Sequence, residues 1–551
     1  MAKLLRLAIL VACLLTAGRA FAAGGTCPSG ANYLASSEKP QLVTLSSLGV
    51  SGCYYIAANG SDANSGTSES SPWAHLPGMS SCTGNCAAHT PAAGEGYILR
   101  GGDTWSGVSV GFNWNWAGTA SNPIYIGVDK SWPSGWTRPI WSCDGTTCGG
   151  ANNGVFISIA KPYVILDNIE MTGLHETGSY HPNNVAAGGG NDTIENLYVH
   201  GWSHDSTVKG ELSQVFTLAQ GDVIRYNLID GSDTSKDMMF VTHAQTPIAY
   251  GNYMSYVQTG LDGCGDNWHD NVMEYMVSAF TPGHQDGLYQ YGPCYASTMF
   301  MYNNVVRHTT WSGSGGAVKF WMNGNDGDPA GTVGYAFNNV IYDNVPGNVV
   351  DVGGHFGVFY GTWYFFNNTV ACGTDSDPGN CILGDNGDKQ NGQFTGGSMN
   401  LYLSDNQWIQ ASGSILSCTQ STYKCTETGD LLQTVSQAAS QGYTDASAFA
   451  FQPTTASGST ITAAAKVTTA ATATARLSLC TTIGLTNAVA GAACQSDTSY
   501  ACTFDATNHA VVCPARETVA RATEPNVGAY QFGSAEASVP NPPEGLAITV
   551  Q

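Results

Sequence analysis

A short phrase recurs along the middle of this chain: aromatic or aliphatic residues, then Asn, then more apolar residues. It reads YVILDNIEMTG (163–173), TIENLYVHGW (193–202), VIRYNLIDGS (223–232) and IAYGNYMSYV (248–257), then FMYNNVVRHT (300–309), YAFNNVIYDN (335–344) and YFFNNTVACG (364–373). The asparagines taken as equivalent are Asn168, Asn196, Asn227, Asn252, Asn304, Asn339 and Asn368, spaced by 28, 31, 25, 52, 35 and 29 residues. The long interval holds a degenerate copy near Glu274, NVMEYMVSAF. A repeat of this length marks a solenoid whose turns stack around one shared core. Each unit is strand-length, rich in β-branched and aromatic residues and bounded by Gly, Asn and Asp, so the turns are strands and not helix pairs. Asparagine tolerates the left-handed backbone of a sharp bend, and stacked Asn side chains can bond from turn to turn. The expectation is an all-β, right-handed parallel β-helix over 95–430, with Asn168 through Asn368 stacked at one bend.

The first 22 residues read as a secretory signal: Lys3 and Arg6, an apolar run to Leu15, and Ala20-Phe21-Ala22 as an A-x-A cleavage site. Leu10-Val11-Ala12-Cys13 offers a competing lipoprotein box, with a short apolar stretch before it. No later segment has the ~18 uninterrupted apolar residues of a membrane span. Removing Cys13 leaves sixteen of seventeen cysteines, an even number that suits an oxidising compartment. Sequential pairing would give eight short-range disulfides, from Cys27–Cys53 to Cys502–Cys513. The cysteines are scattered with no CxxC pair, which argues against zinc. The chain carries −22, and loss of three signal-segment cations leaves about −25, so nucleic acid is disfavoured as a partner. A monomer acting on a polysaccharide is the expectation.

Residues 23–94 read as a leader and cap, containing CYYIAANGSDANSGTSESSPWAHL (53–76). Tyr54–Leu76 resembles the opening of secreted bacterial proteins of the pectate-lyase-like superfamily, through Gly60-Ser61-Asp62, Asn64, Gly66-Thr67 and Pro72. Gly528-Ala529-Tyr530-Gln531-Phe532 is similar to that group's C-terminal strand. The resemblance implies the β-helix and a carbohydrate substrate, but the superfamily includes lyases, hydrolases, esterases and non-catalytic binders. Beyond the solenoid, 431–533 reads as a C-terminal capping or excursion segment with a hairpin at 500–513, and 534–551 as a tail without pattern.

Chemistry is expected on the second strand of each turn. Simple alternation in GAVKFWMNG (316–324) sends Val318, Phe320 and Met322 inward and Lys319 and Trp321 outward. The same logic places Tyr289 and Asp351 outward, so that three adjacent turns present Tyr289, Lys319 and Asp351 on one surface. His284 and Asp286 join them as catalytic candidates. His243, His355, Trp268, Trp311 and Trp321 are candidate substrate-binding residues, with tryptophans as sugar platforms. Asp262 and Asp266 are candidate ligands for Ca²⁺, and His269 lies nearby. This many titratable groups is a concentration in a chain only 11% charged.

Three readings follow. In a polysaccharide lyase, Lys319 or Tyr289 removes the proton alpha to a uronate carboxylate, and the aspartates hold a cation or orient the base. In a glycoside hydrolase, Asp286 and Asp351 act as the two carboxylates. A binding solenoid needs no catalysis. Paired Asp-Asp, Gly-His-Gly and Arg-Ile-Lys are all lacking, which disfavours the polygalacturonase pattern. Elimination is the leading expectation.

Overall fold

The computed structural model describes residues 24–532 except 32, 37–39, 108–109, 134–136, 147–154, 177–182, 205–213, 233–239, 243–247, 264–266, 277–284, 291–297, 309–317, 324–330, 344–349, 352–360, 373–382, 385–398, 410–415, 418–422, 441–450, 456, 461–469, 499–502, 506–509, 513–517 and 522–525. Among these residues, three sheets of 14, 13 and nine strands run along the molecule, called first, second and third here. Successive coils visit them in turn: Val164–Asp167 in the first, Glu170–Glu176 in the second, Asn183–Ala187 in the third, then Thr193–Glu195 back in the first. Neighbouring strands within each long sheet are parallel, with one exception at the N-terminal edge. This is a right-handed parallel β-helix. Its parallel pairing already begins at Gly52–Ile56 against Glu95–Leu99, inside the segment read from sequence as the cap.

Asparagine makes the bend between the first and second sheets, in two distinct roles. One residue per coil takes a left-handed backbone, as at Asn168 (φ 56°), Asn196 (56°), Tyr226 (54°), Asp270 (54°), Asn303 (57°) and Asn338 (57°). The next residue, where it is Asn, turns inward and builds the ladder. Asn227 Nδ2 donates to Asn252 Oδ1 at 3.0 Å, and the chain of bonds continues through Asn271, Asn304, Asn339, Asn368 and Asn406 to Asp430. Each ladder oxygen also accepts a backbone N–H from the preceding coil, that of Leu197 at Asn227 and of an Asn thereafter, for example Asn271 N to Asn304 Oδ1 at 3.1 Å. All the ladder asparagines are buried, so each bond removes a desolvation cost as well as adding attraction. Asn168 and Asn196 therefore do not belong to the stack. They are one position early, and Ile169 and Leu197 stand at the ladder position of their coils, in register with Asn227. The degenerate copy is real, and Asn271 is its ladder residue.

The core is filled by inward rows, among them Met171, Val199, Ile229, Met254, Met273, Val306, Ile341, Val370 and Trp408 of the second sheet. The N-terminal motif is structural. Asp62 accepts from the backbone N–H groups of Ala74, His75 and Thr83 and pairs with His75 Nδ1 at 2.8 Å, folding 62–83 into one unit. Gly66 (φ 71°) lies so close under the Trp73 indole that a Cβ would stand 2.5 Å from Cε2.

C-terminal elements close two outer faces. Helices Ala470–Thr486 and Ala488–Cys494, joined by Cys480–Cys494, pack on the aromatic outer face of the first sheet through Ile483 and Ala490 against Phe300, Tyr302, Phe337 and Phe366. Ala529 and Tyr530 pack on the outer face of the second sheet beside Val305, Val340 and Tyr342. Gly528–Phe532 is bend and coil, correcting the expected strand: its N–H groups bond Asp405 O and Thr369 Oγ1 without entering a ladder. The hairpin is present as Thr503–Asp505 against Ala510–Val512. Cys27–Cys53 and Cys82–Cys86 pair as expected, and Cys143, Cys372 and Cys425 are also disulfide-bonded. The signal segment and the 534–551 tail lie outside the described residues. Among those described, no helix is long and apolar enough to cross a membrane.

Candidate functional site

The candidate residues collect on four adjacent strands of the third sheet: Thr259–Asp262, Gln285–Gln290, Val318–Asn323 and Val350–Asp351. Strands of this sheet do not alternate simply. Val155–Ile159, Asn183–Ala187 and Gln214–Thr217 each open with a half-buried residue, two buried ones and a second half-buried one. Gln285–Gln290 keeps that rhythm: a Cβ on Gly287 would meet core Val306 at 3.3 Å, and Leu288 is buried in the same core. Two consecutive inward residues leave outer rows three residues apart on each strand.

Register then assigns every candidate. The upstream outer row runs Val155, Asn183, Gln214, Phe240, Thr259, Asp286, Lys319. The downstream row contains buried Asp262, then Tyr289, Met322 and Asp351 in register. Between them, Leu261, Leu288, Trp321 and Val350 occupy one register row. Trp321 is in register with Leu288, and Met322 with Tyr289. Asp286 and Lys319 are direct neighbours, ~4.8 Å apart at the backbone, and the two rows are ~10 Å apart. Tyr289 and Asp351 share a row, with Met322 between them.

Other candidates are relocated. Trp268 is fully buried in the first-sheet core and offers no face to a sugar, which corrects its assignment as a platform. His269 is stacked between Tyr250 and Tyr302 at 4.7 and 4.6 Å, with Nδ1 2.7 Å from Asp270 Oδ2, on the first sheet and away from the third. Asp262 is 3% exposed, and its backbone N–H and C=O both bond Thr242 Oγ1 at 3.1 Å. No group of three His, Cys, Asp or Glu suited to a metal occurs among the described residues. His243, Asp266, His284, Trp311 and His355 lie outside the described residues.

Asp286 and Asp351 are two strands and three residues apart, ~14 Å at the backbone. Sequence reading missed the shift because it assumed strict alternation, although the repeated pairs Phe156-Ile157 and Val215-Phe216 carried the signal.

No protein-family model matches this chain, and neither does any curated protein sequence. Among solved structures it is similar to the GH136 lacto-N-biosidase from Eubacterium ramulus, at 13% identity and TM-score 0.40, covering 70% of this chain and 68% of that one. It is similar to pectate lyase Pel9A at 16% identity and TM-score 0.33, covering 70% and 81%. The alginate lyase from Paenibacillus sp. str. FPU-7 gives 14% identity and TM-score 0.29, covering 62% and 91%. Likeness at this level concerns the shape of the solenoid and carries nothing about the reaction.

Proposed function

We propose that this protein is an exported, monomeric polysaccharide lyase that cleaves a uronate-containing glycan by β-elimination. The observation that supports this reading is the register pair Asp286–Lys319 in one outer row of the third sheet, with Tyr289 in the other. A lysine with a carboxylate at the neighbouring position suits the cation that neutralises the uronate carboxylate, which acidifies the proton alpha to it. Tyr289, ~11 Å away at the backbone, suits the base that removes that proton. The C–O bond beta to the carboxylate then breaks, leaving an unsaturated sugar on one product and a hydroxyl on the other. No step is assigned to calcium: of its expected ligands, Asp262 is buried and Asp266 lies outside the described residues.

The test is a panel of polygalacturonate, alginate and neutral xylan, read by ultraviolet absorbance of unsaturated products and by reducing ends. Absorbance together with reducing ends is expected on a uronate polymer, and reducing ends alone would overturn elimination. On the active polymer, Tyr289→Phe and Lys319→Ala should each lower turnover ~10²-fold or more at unchanged melting temperature. Lys319→Arg, which keeps the cation, should recover part of that loss. Full activity in both Tyr289→Phe and Lys319→Ala would remove this face from the reaction.

A further inference from the structure

The edge where coils leave the second sheet for the third carries a row that the proposed chemistry does not use. Its register positions are Gly173, inside the long strand Glu170–Glu176, and Gly201, Gly231, Tyr256, Tyr275, His308 and Asp343, each one past a second-sheet strand. The backbone is left-handed at Gly173 and Gly201, where glycine accepts it without strain. Four later coils hold the same conformation with Tyr256 (φ 54°), Tyr275 (51°), His308 (53°) and Asp343 (50°). Bulky residues at strained positions, repeated over four coils, direct attention to what those side chains do.

They form a ladder. Tyr256 and Tyr275 stack at 5.2 Å, Tyr275 and His308 at 5.4 Å, and His308 Nδ1 lies 2.6 Å from Asp343 Oδ2. Both faces of the Tyr275 ring are covered, yet the residue is 37% exposed. What it offers solvent is therefore its edge and its hydroxyl, and not a stacking face. Burial raises the phenol pKa of Tyr256 and of Tyr275 above the ordinary tyrosine value, so both present O–H donors.

In each of three coils the row precedes a candidate strand of the third sheet. Tyr275, His308 and Asp343 stand 11, 11 and eight positions before Asp286, Lys319 and Asp351 in the chain. Polar edges repeating at 5.2–5.4 Å along the solenoid offer about one contact per sugar to an extended glycan lying parallel to the axis. We infer that the Tyr256–Tyr275–His308–Asp343 row is a glycan-holding subsite on the rim of the groove, which binds sugar hydroxyls through ring edges and O–H groups. The inference rests on the polysaccharide reading of the neighbouring groove and deepens it.

The experiment is affinity electrophoresis of the full chain in gels containing polygalacturonate, alginate or xylan. It compares wild type with Tyr256→Phe/Tyr275→Phe, which keeps the stack and removes both hydroxyls, and with Tyr275→Ala. Retardation by at least one polymer is expected, with the double Phe variant binding ~5-fold or more weakly, the loss of one or two hydrogen bonds. Melting temperatures of wild type and the Phe variant should agree. Equal retardation of the two, or no retardation by any polymer, would overturn the inference. The two readings separate cleanly. Unsaturated product with equal retardation sinks the rim subsite and leaves elimination standing. Retardation lost in the Phe variant, with no unsaturated product on any polymer, sinks elimination and leaves the subsite.

Discussion

Asparagine serves two purposes in the same seven-fold phrase, and substitution separates them. Asn304 accepts from Asn271 N and Nδ2 at 3.1 and 3.0 Å and donates to Trp268 O and Asn339 Oδ1, both at 3.0 Å. Asn304→Ala strands several buried polar groups at once, each costing ~1–3 kcal/mol. A loss of about 3–5 kcal/mol in urea denaturation is expected. Asn168 is equally buried, but its amide has no hydrogen-bond partner among the described residues, and its backbone is left-handed. Asn168→Gly should stay within about 1 kcal/mol of wild type. The existence of a ladder was legible because a buried polar residue at solenoid spacing has few other uses. Its membership was not legible at Asn168 and Asn196, since Asn suits both the bend and the stack and only register tells them apart. Asn271 was within reach: NWHDN matches IAYGN position for position, but reading that copy from Glu274 hid it.

Strands and helices were read with uneven success for a similar reason. Apolar phrases located the strands of the first two sheets, where inward residues alternate. The upstream strands of the third sheet pair their buried residues, as at Phe156-Ile157 and Val215-Phe216, a rhythm that simple alternation does not anticipate. Trp268 misled because a tryptophan near acidic residues suits a sugar platform and a core equally well. The helices after Ala470 could not be placed from sequence. Their docking depends on an aromatic outer face built from Phe300, Phe337 and Phe366, three coils that look like ordinary repeat. Ile483 is fully buried there, so Ile483→Asp should undock the helical pair. Faster proteolysis within 470–494 and stronger binding of a hydrophobic dye are expected, with the β-sheet circular dichroism retained. Unchanged proteolysis would show that the helices hold by other contacts.

Taken whole, the molecule buries acids that favour their neutral form. Burial pushes Asp192 up to about 8, partly offset by the Val164 N–H, and the neighbouring Asp222 raises it further. Burial also pushes Asp222 up to about 6, against the N–H groups of Ala219 and Asp192. Asp167 is raised in the same direction by burial and then by Glu195. Unfolded aspartate titrates near ~3.9, so between about 4 and 8 the folded chain holds more protons than the unfolded one. The stability these groups contribute is complete below about pH 4 and is lost as pH rises through about 6 and then about 8. Urea midpoints should fall across that window, and Asp192→Asn should flatten the fall. A midpoint that rises with pH through it would contradict the burial argument. One exception to the parallel order has its own meaning. Gly25–Thr26 runs antiparallel on Gly52–Ile56, and Cys27–Cys53 ties it there. A stack of like coils is in principle an unfinished fibre, able to accept another copy at its open edge. The reversed strand presents an arriving coil with the wrong direction, so growth at this face stops, and the molecule has a definite first turn.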